Sequence, residues 1–136
     1  MQHPIEIRDN EFRCLIADDS EFARKIMVSV IKMAGGCVVA EASNGNEAVD
    51  LYSRVRPDIV LLDITMPVQD GVETLRKIVE QDKNAKVIIV SSIGHKEMVW
   101  KALCLGAKSF VTKPYSADYA AMMIKAVVDD EKGGIS

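Results

Sequence analysis

The 136-residue sequence has no run of basic residues, no apolar stretch long enough to span a membrane, and no even set of cysteines. Each absence excludes something. With 20 acidic residues against 17 basic ones and a formal charge of −3, the chain gives little reason to expect binding to nucleic acid or an anionic membrane. The stretch from Met1 to Phe12 is largely polar and the apolar runs are strand-length, so neither a signal peptide nor a spanning segment is expected, and the cytoplasm is the default compartment. Cys14, Cys37 and Cys104 lie far apart, each inside a predicted apolar strand or helix, and are expected to be buried reduced thiols. A hydrophobic content of 49% is enough for one well-filled domain, and the length leaves no room for a second.

What is present is a regular alternation. Short apolar runs at Cys14–Ala17, Cys37–Ala40, Ile59–Leu62, Val87–Val90 and Phe110–Thr112 read as strands. Between and after them, helical spacing covers Ser20 to Ala34, the stretch after Asn44 to about Val55, a stripe at Val72, Leu75, Ile78 and Val79, about Lys96 to Leu105, and about Ser116 to Asp130. Ser20 is the expected cap of the first helix, with Gly35–Gly36 its stop; Pro67 is expected to halt the third strand, and Val68 to Gly71 to turn. Residues 1–12 read as an extension, 13–130 as the domain and 131–136 as a tail. Each helix is long enough to serve as the crossover between parallel strands, which gives an α/β fold with a five-stranded parallel sheet and helices on both faces. Right-handed crossovers put every carboxyl end on one edge. That edge collects Asp18, Asp19, Asp63, Ser91 and Lys113.

Ligands and chemistry in an open parallel sheet gather beyond the carboxyl ends of its strands, and Asp63 terminates the most apolar run. Three carboxylates brought together repel one another unless a cation sits among them, and an all-oxygen donor set suits a hard divalent ion such as Mg²⁺. An aspartate beside such an ion, with an ammonium and a hydroxyl nearby, is equipped to attack a phosphoryl group.

Together, ADDS after the first strand, LLDITMP at the third, VSS at the fourth and TKP at the fifth resemble the receiver domains of two-component response regulators, over about residues 13 to 130. The DITMP, VSSIGHKEMV and LGAKSFVTKPY stretches are most similar to the stand-alone chemotaxis branch, the CheY-like regulators. The resemblance implies the flavodoxin-like strand order 2-1-3-4-5. It makes Asp63 the phosphoacceptor, and gives Asp18, Asp19, Asp63 and the backbone carbonyl of Thr65 as Mg²⁺ ligands. Ser91 and Lys113 become partners of the phosphoryl oxygens, and Pro114 is expected to follow a cis peptide. Phe110 falls at the aromatic switch position beside Ser91. Thr65 and Ile93 fall beside the path of an attacking water, and neither can orient that water, so slow hydrolysis is expected.

The implied partners are a chemotaxis-type sensor histidine kinase, a phosphatase, and a target such as the flagellar motor switch, met by a monomer. Here the target would dock on a face around Val99, Leu103, Phe110, Tyr119 and Met123, with Met98 and Ala102 nearer the sheet. A phosphate sink or a relay intermediate are alternative roles. Outside the family, a phosphatase with an aspartate nucleophile is disfavoured, because Thr65 stands where such enzymes need a second acid. A flavodoxin-like cofactor binder is disfavoured because Asp18–Asp19 occupy the place of a phosphate loop. With nothing after residue 130 to supply an effector domain, DNA binding or cyclase activity in the same chain is not expected; the chain would catalyse only its own phosphorylation and dephosphorylation.

Overall fold

The computed structural model describes residues 11–66 and 69–130. Expectations for residues 1–10, for Pro67 and Val68, and for the tail at 131–136 lie outside those residues. Ten elements alternate: β1 (Phe12–Ala17), α1 (Glu21–Met33), β2 (Gly36–Ala42), α2 (Gly45–Val55), β3 (Ile59–Asp63), α3 (Gly71–Gln81), β4 (Val87–Ser92), α4 (Lys96–Leu105), β5 (Ser109–Lys113) and α5 (Ala117–Asp129). The strands form one parallel sheet in the order β2-β1-β3-β4-β5, a flavodoxin-like α/β sandwich. β1 begins at Phe12, two residues before the apolar run that announces it, because the Phe12 ring packs on Gly36 so closely that a Cβ there would lie 2.4 Å from it.

Strand alternation feeds two apolar layers. Leu15, Ala17, Val60, Leu62, Val87 and Ile89 point to the side covered by α2, α3 and α4, where Tyr52, Leu75, Ile78 and Ala102 meet them. Cys14, Ile16, Ile59, Leu61, Ile88 and Val90 point to the other side, against Met27, Ile31 and Ile124 of α1 and α5. β3 is buried along its whole length because it is central and covered on both faces. Each of its four apolar side chains contributes about 1.5–3 kcal/mol of burial.

Ser20, Asn44, Asp70 and Ser116 begin four helices by accepting from the backbone N–H three residues on. α4 is different: His95 precedes it and makes no side-chain cap bond. The α2 end is secured from outside, where Arg56 takes a left-handed φ of +46° and the Arg13 guanidinium donates to the carbonyls of Val55 and Arg56 at 2.7 and 2.8 Å. Between β1 and β2 the register slips by one residue, Cys14 pairing with Val38 and Leu15 with Ala40, so that Val39 is the extra residue.

Two surface expectations need correction. Val99 does not face outward: at 9% exposure it joins the apolar layer under α4, and Leu103 is half-buried against the same layer. The outward placement came from the family resemblance; in this chain Lys96, Glu97 and Lys101 share the exposed side of α4 and leave Val99 and Ala102 to face the sheet. Cys104 is exposed and Cys37 half-buried; of the three thiols, Cys14 alone is fully buried, and burial pushes its pKa far up.

Candidate functional site

The carboxyl edge of the sheet holds the acids by backbone bonds before any side chain is considered. The Asp18 N–H donates to the Ala42 carbonyl at 3.0 Å, which extends the sheet one residue past β1. Asp63 pairs with Val90 at the last rung of β3, and Ile64 N–H donates to the Val90 carbonyl at 2.9 Å. Ser92 pairs with Lys113 across β4 and β5. The Lys113–Pro114 peptide is cis.

Side chains complete the cluster. One oxygen from each of Asp18, Asp19 and Asp63 lies within 4.8 Å of the others. Asp18 and Asp63 are 1% and 4% exposed, while Asp19 reaches solvent. Lys113 Nζ donates to Asp18 Oδ2 at 3.1 Å and stands 3.9 Å from Asp63 Oδ2. Asp18 Oδ1 accepts from the Ser20 N–H at 2.9 Å, and Asp63 Oδ1 accepts from the Thr65 N–H at 3.3 Å.

One ammonium is not enough for three carboxylates. Burial first, and then the Asp18 charge, push the Asp63 carboxyl up to about 6, against the opposing pull of Lys113 and the Thr65 N–H. For Lys113, burial favours the neutral amine, but the Asp18 hydrogen bond and the Asp63 charge outweigh it and hold the ammonium above its ordinary value. A dication among the acids would reverse the strain on Asp63. The donors are all oxygens, so the residues present fit a hard divalent ion, with Asp18, Asp19 and Asp63 to hold it.

Ser91 is 2% exposed at the end of β4, and its hydroxyl donates to the Ser92 carbonyl at 2.9 Å. To serve an external oxygen it must turn away from that bond. Beyond it lies a groove of about 450 Å³ lined by Ser91, His95, Trp100, Leu103 and Phe110 among others. Phe110 stands on its wall at 41% exposure, with Ile93 and Trp100 exposed at 81% and 68%. Tyr119 is half-exposed on α5, where Met122 faces solvent and Met123 is partly covered by the core.

Arg24 has no place in the sequence reading, yet it touches the site directly. Its guanidinium donates to the Asp18 carbonyl at 2.6 Å and to Glu41 at 3.0 Å, tying the first acid to α1 and to β2. The signal available was an arginine in the first turn of the helix that follows two acids; nothing in its spacing names Glu41 as the partner.

The family model for the response regulator receiver domain matches residues 14–125. The chemotaxis protein CheY of Listeria monocytogenes is 49% identical over 106 residues, 78% of this chain and 89% of that protein. The CheY of Thermotoga maritima is 45% identical over 103 residues, 76% and 86% of the respective chains. Among solved structures, a CheX–CheY–BeF3–Mg complex from Borrelia burgdorferi has a TM-score of 0.81 at 39% identity, covering 85% of this chain and 88% of that one.

Proposed function

The chain belongs to the response regulator receiver domains, and on that premise we propose that it is a stand-alone chemotaxis-type regulator that takes a phosphoryl group on Asp63 and signals through a phosphorylation-dependent protein contact. The observation that carries this reading is the carboxylate cluster with Lys113 bridging Asp18 and approaching Asp63. The two chemotaxis proteins CheY named above are covered to 89% and 86% of their length, which favours that branch over a receiver feeding an attached domain.

Mg²⁺, held by Asp18, Asp19, Asp63 and the Thr65 carbonyl, would supply neutralisation of charge on the transferring oxygens. The rest falls to the chain. An oxygen of Asp63 attacks the phosphorus of a kinase phosphohistidine; the new P–O bond forms as the P–N bond breaks and its electron pair returns to the imidazole. Lys113 leaves its bond with Asp18 to donate to a phosphoryl oxygen. Ser91 rotates from the Ser92 carbonyl to donate to another. Added charge of about −1.5 to −2 thereby draws in the β4–α4 connection. Phe110 then turns into the groove bordered by Ser91 and Leu103, which remodels the surface formed by Trp100, Phe110 and Tyr119.

That surface is where a target such as a motor switch protein would bind, in the cytoplasm. No helix among the described residues is long and apolar enough to cross a membrane. Intact mass after acetyl phosphate treatment tests the assignment: one phosphoryl group is expected, lost on chelation of Mg²⁺ and lost in Asp63→Asn. Labelling that survives either change overturns it. A motor target is distinguished from a sink or relay by titrating candidate partners with phosphorylated chain: a sink binds none of them, and a relay hands the label to a histidine.

A further inference from the structure

The segment that returns from Asp63 to α3 ends in a buried polar chain for which the site described above has no use. Gln69 is 9% exposed. Its Oε1 accepts from Lys77 Nζ at 2.8 Å, and its Nε2 donates to Thr74 Oγ1 at 2.9 Å. The fully buried Thr74 hydroxyl donates in turn to the Asp70 carbonyl at 2.8 Å. Lysine can only donate, so the amide oxygen must face Lys77; the Thr74 proton is spent on Asp70, so the amide nitrogen must face Thr74. The orientation of Gln69 is therefore dictated from both ends.

The same chain is pressed against the site backbone. A Cβ on Gly45, the first residue of α2, would lie 2.2 Å from Thr74 Oγ1 and 2.6 Å from the Gln69 carbonyl. A Cβ on Gly71 would lie 2.5 Å from Ile64 Cα and 2.7 Å from the Asp63 carbonyl. The Gly71 N–H donates to the Ile64 carbonyl at 2.8 Å. The start of α3 thus rests directly on the two residues that precede Thr65, and Gln69 is hydrogen-bonded to two side chains of that helix, Thr74 and Lys77.

We infer that Gln69, held by Thr74 and Lys77, is a positioning residue for the cation site, fixing the start of α3, on which Ile64 and the Asp63 backbone rest, so that the Asp63 carboxylate is set before a cation arrives. This rests on the reading that the cluster binds Mg²⁺. Outer partners of metal ligands act in this way, and losing one weakens metal binding by about tenfold or more. Lys77 supplies a test of sign. Taking a positive charge off α3 would, through electrostatics alone, leave cation binding unchanged or tighten it, whereas loss of positioning weakens it.

Calorimetric titration of the full chain with MgCl₂ decides the matter. Gln69→Met and Lys77→Met are expected to raise the Mg²⁺ Kd about tenfold, while Lys77→Arg, which keeps a donor for Oε1, stays near wild type. Acetyl phosphate labelling at saturating Mg²⁺ should recover in all three. Should Gln69→Met fail to melt cooperatively, Thr74→Val, which removes only the hydroxyl, carries the same expectation. Variants that bind Mg²⁺ as wild type does, or a Lys77→Met chain that binds it more tightly, overturn the inference while the phosphoacceptor reading stands. A wild-type chain that neither binds Mg²⁺ nor labels at Asp63 overturns both.

Discussion

α1 and α4 both follow strands that deliver site residues to the same edge of the sheet, and they are held there in opposite ways. α1 starts on a Ser20 cap, is tied back to the Asp18 carbonyl and Glu41 through Arg24, and buries Met27, Val30 and Ile31 almost completely. α4 starts at His95, which gives it no cap and whose Nδ1 is buried without a partner. Gly94 before it has a φ of +103°, and Val99 and Ala102 are its only buried residues. The helix beside the acids is fixed and the helix beside Ser91 and Phe110 is loosely held. On the proposed reading, a charge event at the acids would be taken up by α4 rather than by the firmly held α1.

The contrast can be broken by truncating one large side chain of each helix. Ile31→Ala in α1 is expected to cost about 3 kcal/mol, whereas Trp100→Ala on the exposed face of α4 costs no more than about 0.5 kcal/mol. Urea unfolding measures both, and comparable losses would remove the asymmetry.

Next in size is the stored repulsion at the acid end. The Asp63 carboxyl sits at about 6 in the folded chain, above its ordinary 3.8, so the folded state keeps a proton that the unfolded state releases. In metal-free buffer, stability from this group is full below about pH 4 and is lost as pH climbs through about 6. Asp63→Asn should flatten that slope and stabilise the chain by about 2 kcal/mol at neutral pH, read from melting curves in chelator. Added Mg²⁺ should stabilise wild type more than the variant.

The two helix starts sharpen the comparison further. Ser20→Ala is expected to destabilise by about 1 kcal/mol, while His95→Asp should stabilise by about 0.5–1 kcal/mol because it supplies the cap that α4 lacks. The His95→Asp chain should also show a smaller response of the α4 region to phosphorylation, seen as slower amide exchange in both states. The smallest effect is optical. Trp100 emission should change on phosphorylation, while a tryptophan placed at exposed Met33 on α1, in a Trp100→Phe background, should not.

The fold was legible because its alternation is written in both periods at once. Strand residues such as Ile59 to Leu62 fall to two layers by simple parity, and Ser20 and Gly35 mark the first helix as expected. The acids were legible because strand ends gather on one edge once the strands are parallel. Three things were missed. The inner face of α4 was misread because it was placed by family resemblance, although Lys96, Glu97 and Lys101 share one side of the helix, opposite buried Val99 and Ala102. Arg24 and Gln69 were missed because their partners, Glu41 and Lys77, are set by three-dimensional packing and have no sequence spacing of their own. The exposure of Cys104 was missed likewise, although it lies on the same side of α4 as Glu97 and Lys101.

The slipped register at Val39 has a consequence for what happens when many copies crowd together. An outermost strand with a straight row of free N–H and C=O groups is a template on which an identical strand can zip. At β2 the extra residue breaks that row midway, and exposed Glu41 adds a charge near its end. At the opposite border, β5 is only five residues long and follows directly on the exposed Lys108. Both borders of the sheet are thus poor seeds for polymerisation. A chain of this build can be concentrated without its copies annealing edge to edge.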